Sequence, residues 1–137
     1  MKKEHSAGVL VYRKGNIFLL LDYGKYWDFA KGHLEKDETE MQAALRELKE
    51  ETGISKISIN EGFKEKIFYV FKDKQGHLIS KDVVFFLGQV KDSKVKISFE
   101  HKGYQWLTYE KAIETVSYKN AKTILRKAHE FLLENNI

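Results

Sequence analysis

The stretch GHLEKDETEMQAALRELKEETGI, residues 32–54, concentrates acidic side chains in a chain that is otherwise basic. It carries seven acids and three bases, a net charge of −4, whereas the whole chain has a net charge of +4 and the remaining residues therefore carry +8. Between Glu38 and Thr52 the apolar residues recur with helical spacing, and Gly53 is typical of a helix C-terminus. We therefore predict a helix over 38–52, with Asp37 as its N-cap and Glu40 as the capping-box partner.

Three carboxylates lie close together on this predicted helix. At about 100° per residue, Glu47, Glu50 and Glu51 fall within an arc of about 100°. The apolar positions form a separate stripe: Met41, Leu45, Leu48 and Thr52. Ala43 and Ala44 border the carboxylates with little bulk, so we expect room for a ligand beside them.

A divalent ion would explain why these carboxylates are tolerated. Like charges three or four residues apart destabilise a helix by roughly 0.2–0.5 kcal/mol per pair. Magnesium or manganese prefers carboxylate oxygens and would relieve the repulsion. On the spacing alone, an acidic face exposed to solvent and without any ion is the favoured interpretation, because glutamate-rich helices are common.

The composition of the chain limits the class of protein to which it can belong. The chain has 137 residues, of which 42% are hydrophobic and 32% charged, so we expect a single globular domain over residues 1–137. Cysteine is absent, which excludes disulfides and thiolate metal sites. No signal-peptide pattern and no apolar run of about 18 residues is present, so we expect a cytoplasmic protein that does not enter a membrane. A monomer is expected.

The pI of about 9.1 favours acidic partners such as nucleotides, RNA or anionic surfaces, although a lysine-rich proteome explains the same charge.

The remaining segments alternate between strand and helix patterns. Two β-rich runs, 7–13 and 16–23, are joined by Lys14-Gly15 and predict a hairpin. Further strands are predicted at 57–60, 63–72, 81–90 and 95–99, a turn at 73–77, and helices at 107–116 and 118–134. This order predicts an α/β fold with a mixed sheet and helices on its faces.

Residues 32–54 also fit a longer pattern, at nine positions with fixed spacing: Gly32, Glu38, Arg46, Glu47, Leu48, Glu50, Glu51, Gly53 and Ile54. This pattern resembles the Nudix box. Nudix hydrolases cleave nucleoside diphosphates linked to another group with the help of magnesium or manganese, and they share an α/β/α sandwich around a mixed β-sheet. The resemblance therefore implies both a fold and a chemistry for this chain.

The resemblance implies a role for each matching side chain. Glu47, Glu50 and Glu51 would bind the metal, assisted by the carbonyl of Gly32. Arg46 would orient a glutamate through a bidentate salt bridge. Glu38 would support the helix rather than bind metal. Metal ions neutralise phosphate oxygens and lower the pKa of a bound water, whose proton a carboxylate then takes.

The sequence before the box narrows the comparison. The stretch YWDFAKGHLEKDE resembles the W-x-F-P-K-G-H segment of the asymmetric diadenosine tetraphosphate hydrolases, with Ala30 where that group usually has proline. Segments 61–70, 99–107 and 128–134 also resemble this group. The resemblance implies hydrolysis of dinucleoside polyphosphates, with diadenosine tetraphosphate giving ATP and AMP.

The same resemblance implies the substrate contacts. Lys31, His33 and Lys81 would lie near the phosphates. Glu100 would add a carboxylate to the metal site from a different loop. Two further side chains, Tyr69 and Phe131, would enclose the adenine ring. Each has a plain alternative: the lysines and His33 as solvated side chains, Glu100 as an exposed acid, and the two aromatic residues as core.

Two other functions remain open from the sequence. An RNA 5′-pyrophosphohydrolase or decapping-type enzyme would use the same box on an RNA 5′ end, and the charge of +8 outside the box is compatible with it. A non-catalytic nucleotide sensor would use the fold only to bind. The complete set of glutamates argues against the sensor, since a binder has no need to activate water.

Overall fold

The computed structural model describes residues 1–91 and 94–137. In this part of the chain the strands are β1 (Lys2–Arg13), β2 (Ile17–Asp22), β3 (Trp27–Asp28), β4 (Ala30–His33), β5 (Ser58–Ile59), β6 (Glu65–Lys72), β7 (Leu78–Gln89) and β8 (Gly103–Thr108). The helices are α1 (Glu40–Thr52), α2 (Tyr109–Thr115) and α3 (Lys119–Glu134). None of these helices is both long and apolar enough to cross a bilayer.

A parallel pair of long strands forms the centre of the sheet. β1 and β7 pair in parallel from Lys2 opposite Ile79 to Tyr12 opposite Gln89. The other pairs are antiparallel: β2 and β4 with β1, β3 and β8 with β2, and β5 and β6 with β7. The predicted hairpin is confirmed. Arg13 pairs with Ile17 across a three-residue loop, in which Gly15 and Asn16 have positive φ (86° and 56°), a conformation that glycine and asparagine adopt more readily than other residues.

Helices cover both faces of this mixed sheet. Alternate residues of each strand point to opposite faces, so that Leu10 and Tyr12 of β1 belong to one core and Val9 and Val11 to the other. The first core includes buried residues of α2 and α3, and the second includes those of α1. The predicted α/β architecture, with a helical layer on each side of the sheet, is confirmed.

The start of α1 differs from the prediction. Its N-cap is Thr39, whose hydroxyl accepts the Gln42 N–H while the Gln42 side chain accepts the Thr39 N–H. Asp37 instead takes a left-handed conformation with φ of 65°. Glu40 is not part of the cap, and accepts hydrogen bonds from His5 and Lys64. The predicted end is confirmed, because Gly53 has φ of 77° and its N–H bonds the Lys49 carbonyl.

The buried face of α1 is also rotated from the predicted stripe. Ala43, Ala44 and Leu48 are fully buried, while Met41 and Leu45 are only partly so. The small side chains of Ala43 and Ala44 let α1 pack directly on β1 and β4. The space expected beside the alanines is therefore filled by the sheet, and this rotation turns one glutamate of the cluster, Glu51, inward.

The predicted strand at 95–99 is wrong. This segment runs along the C-terminal turn of α1, where the Lys96 N–H bonds the Thr52 carbonyl (2.8 Å) and the Ser98 N–H bonds the Glu51 carbonyl (3.1 Å). Its backbone is thus satisfied by the free carbonyls of a helix end rather than by a neighbouring strand. The consequence for the site is that Glu100 is brought close to α1.

Candidate active site

An acidic cleft of about 740 Å³ opens between β4, α1 and the segment 98–100. Its lining comprises Tyr23, Tyr26, Lys31, Gly32, His33, Glu47, Glu50, Glu51, Lys81, Ser98, Phe99 and Glu100. The structure therefore brings together every residue that the sequence implied as a metal ligand, and the three basic residues implied as phosphate contacts. The basic residues come from β4 and from the N-terminal part of β7.

The three box glutamates differ in their surroundings. Glu51 is only 5% exposed, and one of its oxygens accepts the Lys31 backbone N–H (3.2 Å) and lies 3.4 Å from the Tyr23 hydroxyl. Burial and the neighbouring charge of Glu47 raise the pKa of Glu51 to about 8. Burial likewise raises the pKa of Glu47. The Glu50 side chain is 58% exposed and is the most accessible of the three.

Arg46 connects this cluster to the start of the helix. Its guanidinium forms a bidentate pair with Glu38, with N–O distances of 2.6 and 3.0 Å. One of its terminal nitrogens also contacts Glu47 (2.9 Å) and Glu50 (3.2 Å), and the other donates to the His33 carbonyl (2.9 Å). The hydrogen bonds from Arg46 hold the pKa of Glu38 below its ordinary value. Arg46 thus fixes the positions of four groups around the cleft.

The glycine at position 32 is required by a close approach. A Cβ atom there would collide with the carboxyl group of Glu47, which packs directly against the Gly32 backbone. Any larger residue would push Glu47 or β4 away. The close contact places the Gly32 backbone at the same end of the cleft as this carboxylate.

The donor set fits a hard divalent ion. Carboxylate and carbonyl oxygens are the ligands that magnesium and manganese prefer, and the cleft is lined by four glutamates and by Gly32. Within residues 1–91 and 94–137, no three carboxylate or histidine side chains converge tightly enough to form a ready-made site. Arg46 accounts for this, because it draws Glu47 and Glu50 toward itself.

A second space, an aromatic cavity of about 570 Å³, adjoins the cleft. Its lining comprises Tyr26, Asp28, Lys31, Ile67, Tyr69, Phe71, Tyr118 and Ala121. Tyr26 and Lys31 line both spaces, so the cavity and the cleft lie side by side. Alternate residues 67, 69 and 71 of β6 face this cavity, as the two-residue period of a strand requires.

Phe131 is not among the residues that line this cavity. Its ring packs edge to face against Phe63, with centroids 5.6 Å apart, and is partly buried against the core beneath α3. Ala121, the residue of α3 that does line the cavity, is ten positions earlier, or about 15 Å along the helix axis. The aromatic ring that α3 contributes to the cavity comes from its N-cap, Tyr118, which the sequence reading did not single out.

Lysine side chains offset the negative charge. The Lys31 ammonium lies 3.3 Å from Asp28 and over the rings of Tyr23 and Tyr26 (5.4 and 5.8 Å to the centroids). Burial lowers the pKa of Lys31, but Asp28 and the nearby tyrosines outweigh it, so the pKa is raised. Burial and the Lys31 charge lower the pKa of Lys81. Both cations line the cleft beside its glutamates.

Comparisons with known proteins agree with this geometry. The family model for the NUDIX domain matches residues 2–128. The chain is 36% identical to the asymmetrical bis(5′-nucleosyl)-tetraphosphatase of Mus musculus, over 93% of this chain and 94% of the relative, and 37% identical to that of Caenorhabditis elegans, over 93% and 95%. The crystal structure of a C. elegans Ap4A hydrolase binary complex superposes with a TM-score of 0.85 at 35% identity, covering 96% of this chain and 98% of the other. The chain belongs to the Nudix family.

Proposed function

We propose that this protein is a divalent-metal-dependent hydrolase of dinucleoside polyphosphates that splits diadenosine tetraphosphate into ATP and AMP. The observation that carries the proposal is that the two spaces adjoin. An aromatic cavity of about 570 Å³, large enough for a nucleobase, shares Tyr26 and Lys31 with a cleft that is lined by four glutamates and three basic residues. The names of the relatives from M. musculus and C. elegans support the same substrate class.

In this proposal the cavity holds one adenine and the cleft holds the phosphates. Aromatic side chains bind bases by stacking without needing hydrogen bonds to the base edge. Lys31 and Lys81 offset the charge of the phosphate chain, while His33, whose side chain is 60% exposed, lies at the open side. The second nucleoside extends towards solvent.

Glu47, Glu50, Glu51 and Glu100, with the Gly32 carbonyl, would hold the metal. When bound, a divalent ion neutralises phosphate oxygens and acidifies water. Water oxygen bonds to one phosphorus, the bond from that phosphorus to the bridging oxygen breaks, and the water proton passes to a carboxylate. Glu50 is the best placed acceptor, because it is the box glutamate with most access to solvent.

Product analysis in water enriched in oxygen-18 tests the proposal. Diadenosine tetraphosphate and magnesium should yield equal amounts of ATP and AMP, with one labelled oxygen in one of the two products. EDTA should abolish the reaction. Two molecules of ADP per substrate, or no turnover with either magnesium or manganese, would contradict the proposed reaction.

The RNA 5′-pyrophosphohydrolase is the second candidate, favoured by the charge of +8 outside residues 32–54. Phosphate contacts along an RNA chain would make its binding fall steeply with salt. Rapid release of pyrophosphate from triphosphorylated RNA, a steep salt dependence and poor use of the dinucleotide would favour this activity over the first.

The aromatic cavity gives a prediction that separates Tyr118 from Phe131. Tyr118→Ala should raise KM for diadenosine tetraphosphate roughly tenfold or more, because it removes a stacking surface, and should leave stability nearly unchanged since Tyr118 is 54% exposed. Phe131→Ala should instead lower the free energy of unfolding by about 3 kcal/mol. Steady-state kinetics and urea denaturation measure both effects.

Tyr104→Ala is the matched control, because Tyr104 lies on β8 away from this cavity and is similarly exposed (41%). A KM that rises for Phe131→Ala but not for Tyr118→Ala would place the base on the other side of α3. Magnesium as the preferred ion, a monomeric state and a cytoplasmic location stay predictions.

A further inference from the structure

Asp28 lies where the aromatic cavity and the acidic cleft meet. It lines the cavity and is only 7% exposed. One carboxylate oxygen accepts the Phe29 backbone N–H (2.8 Å), and the other lies 3.3 Å from the Lys31 ammonium. Lys31 in turn lines both spaces. The carboxylate is therefore held beside the boundary between them.

A charged group is unexpected among these neighbours. Apart from Asp28 and Lys31, the cavity is lined by aromatic and aliphatic side chains, and a buried charge is costly unless its hydrogen-bonding capacity is used. Each oxygen of an ionised carboxylate can accept two hydrogen bonds. The contacts to Phe29 and Lys31 use one on each oxygen, so the group retains acceptor capacity at the cavity wall.

The proposed function says which part of a substrate passes this point, and the inference rests on it. With the base in the cavity and the phosphates in the cleft, the sugar that joins them must cross the boundary marked by Tyr26 and Lys31. Ribose offers two adjacent hydroxyl donors there. Buried carboxylates bind ribose hydroxyls in other nucleotide sites for the same chemical reason.

We propose that Asp28 accepts hydrogen bonds from the vicinal 2′ and 3′ hydroxyls of the ribose, so that the site selects ribonucleotides over nucleotides that lack these groups. A hydroxyl bound to a charged acceptor is favoured over its absence by roughly 10- to 100-fold in affinity. Selection is strengthened because a ligand without hydroxyls leaves the buried carboxylate unpaired on that side.

Titration calorimetry with ATP and 2′,3′-dideoxy-ATP tests this proposal without requiring turnover. The unmodified protein should bind ATP at least about tenfold more tightly. Asp28→Ala should reduce this ratio to within about twofold by weakening ATP binding selectively. Asp28→Asn retains the side-chain volume and replaces the alanine variant in this comparison if that variant unfolds. Its ratio of affinities for ATP and 2′,3′-dideoxy-ATP should be smaller than that of the unmodified protein.

The matched control is Asp73→Asn, which makes the same change in the turn between β6 and β7 and should keep the full ratio. Equal binding of the two nucleotides by the unmodified protein would overturn the proposal. The proposal would also be overturned if the variants at position 28 kept the full affinity ratio. It would be overturned as well if these variants bound both nucleotides equally more weakly, because that is the result expected of a carboxylate that only positions Lys31.

The outcome is separable from that of the proposed function. A ribose preference that depends on Asp28 in a protein that fails to hydrolyse diadenosine tetraphosphate would refute the proposed reaction alone. Hydrolysis to ATP and AMP without any ribose preference would refute the role of Asp28 alone.

Discussion

Replacing Glu50 by glutamine is expected to lower kcat for diadenosine tetraphosphate by about 10²- to 10⁴-fold, the usual contribution of a positioned general base. The amide keeps the shape of the side chain but cannot take a proton from water and is a poor ligand for a hard cation. The fold should survive, since the Glu50 side chain is 58% exposed and its hydrogen bond is to Arg46. Steady-state kinetics at saturating magnesium and thermal unfolding measure the two effects.

Glu35→Gln is the control for this substitution. Glu35 is also exposed and also lies near Arg46 (3.3 Å), but it is outside the cleft lining. It should therefore retain nearly full activity. An unchanged kcat for Glu50→Gln would remove Glu50 from the chemistry, and an equal loss for Glu35→Gln would show that the charge balance around Arg46, rather than proton transfer, sets the rate.

The local patterns in the sequence predicted those features that depend on local chemistry. The helical spacing across residues 38–52 and the glycine at position 53 locate α1 and its end, and Lys14-Gly15 locates the β1–β2 hairpin. The spacing of the box also predicted which side chains meet, because residues three or four apart on a helix lie on one face. These signals need no knowledge of distant contacts.

The sequence predictions fail where contacts between distant parts of the chain determine the local structure. Segment 95–99 alternates like a strand, but the carbonyls at the end of α1 satisfy its backbone. Ala43 and Ala44 were expected to leave space, yet their small size lets the helix pack against the sheet. The position of α3 relative to β6, which only the tertiary structure provides, places Tyr118 rather than Phe131 in the lining of the aromatic cavity.

The burial of Glu51 has a consequence for stability in the absence of divalent ions. Burial and the charge of Glu47 raise the pKa of Glu51 from its ordinary value of 4.5 to about 8, despite opposing hydrogen bonds from the Lys31 backbone and the Tyr23 hydroxyl. Between these two values the folded protein retains a proton that the unfolded chain has lost. Stability from this group therefore falls as pH rises from about 4.5 to about 8, and is constant above that.

Glu51→Gln should remove this pH dependence. At pH 4.5 the variant and the unmodified protein should unfold at similar temperatures. In EDTA at pH 8.5 the variant should melt roughly 5–10 °C higher, since ionising one buried carboxylate costs on the order of 2 kcal/mol and each kcal/mol shifts the melting temperature of a domain of this size by about 4 °C. Glu35→Gln, an exposed substitution of the same kind, should show no such trend.

Magnesium should reverse the order of the melting temperatures of the unmodified protein and the Glu51→Gln variant. An ion binds the ionised form of Glu51, so it should raise the melting temperature of the unmodified protein and release about one proton per ion near pH 7. The variant has lost that ligand and should gain little from magnesium and release fewer protons. Calorimetry in buffers of different ionisation enthalpy counts the protons. A melting temperature that responds equally to magnesium in both proteins would exclude Glu51 from the metal site, whereas its burial alone would still predict the higher stability of the variant in EDTA.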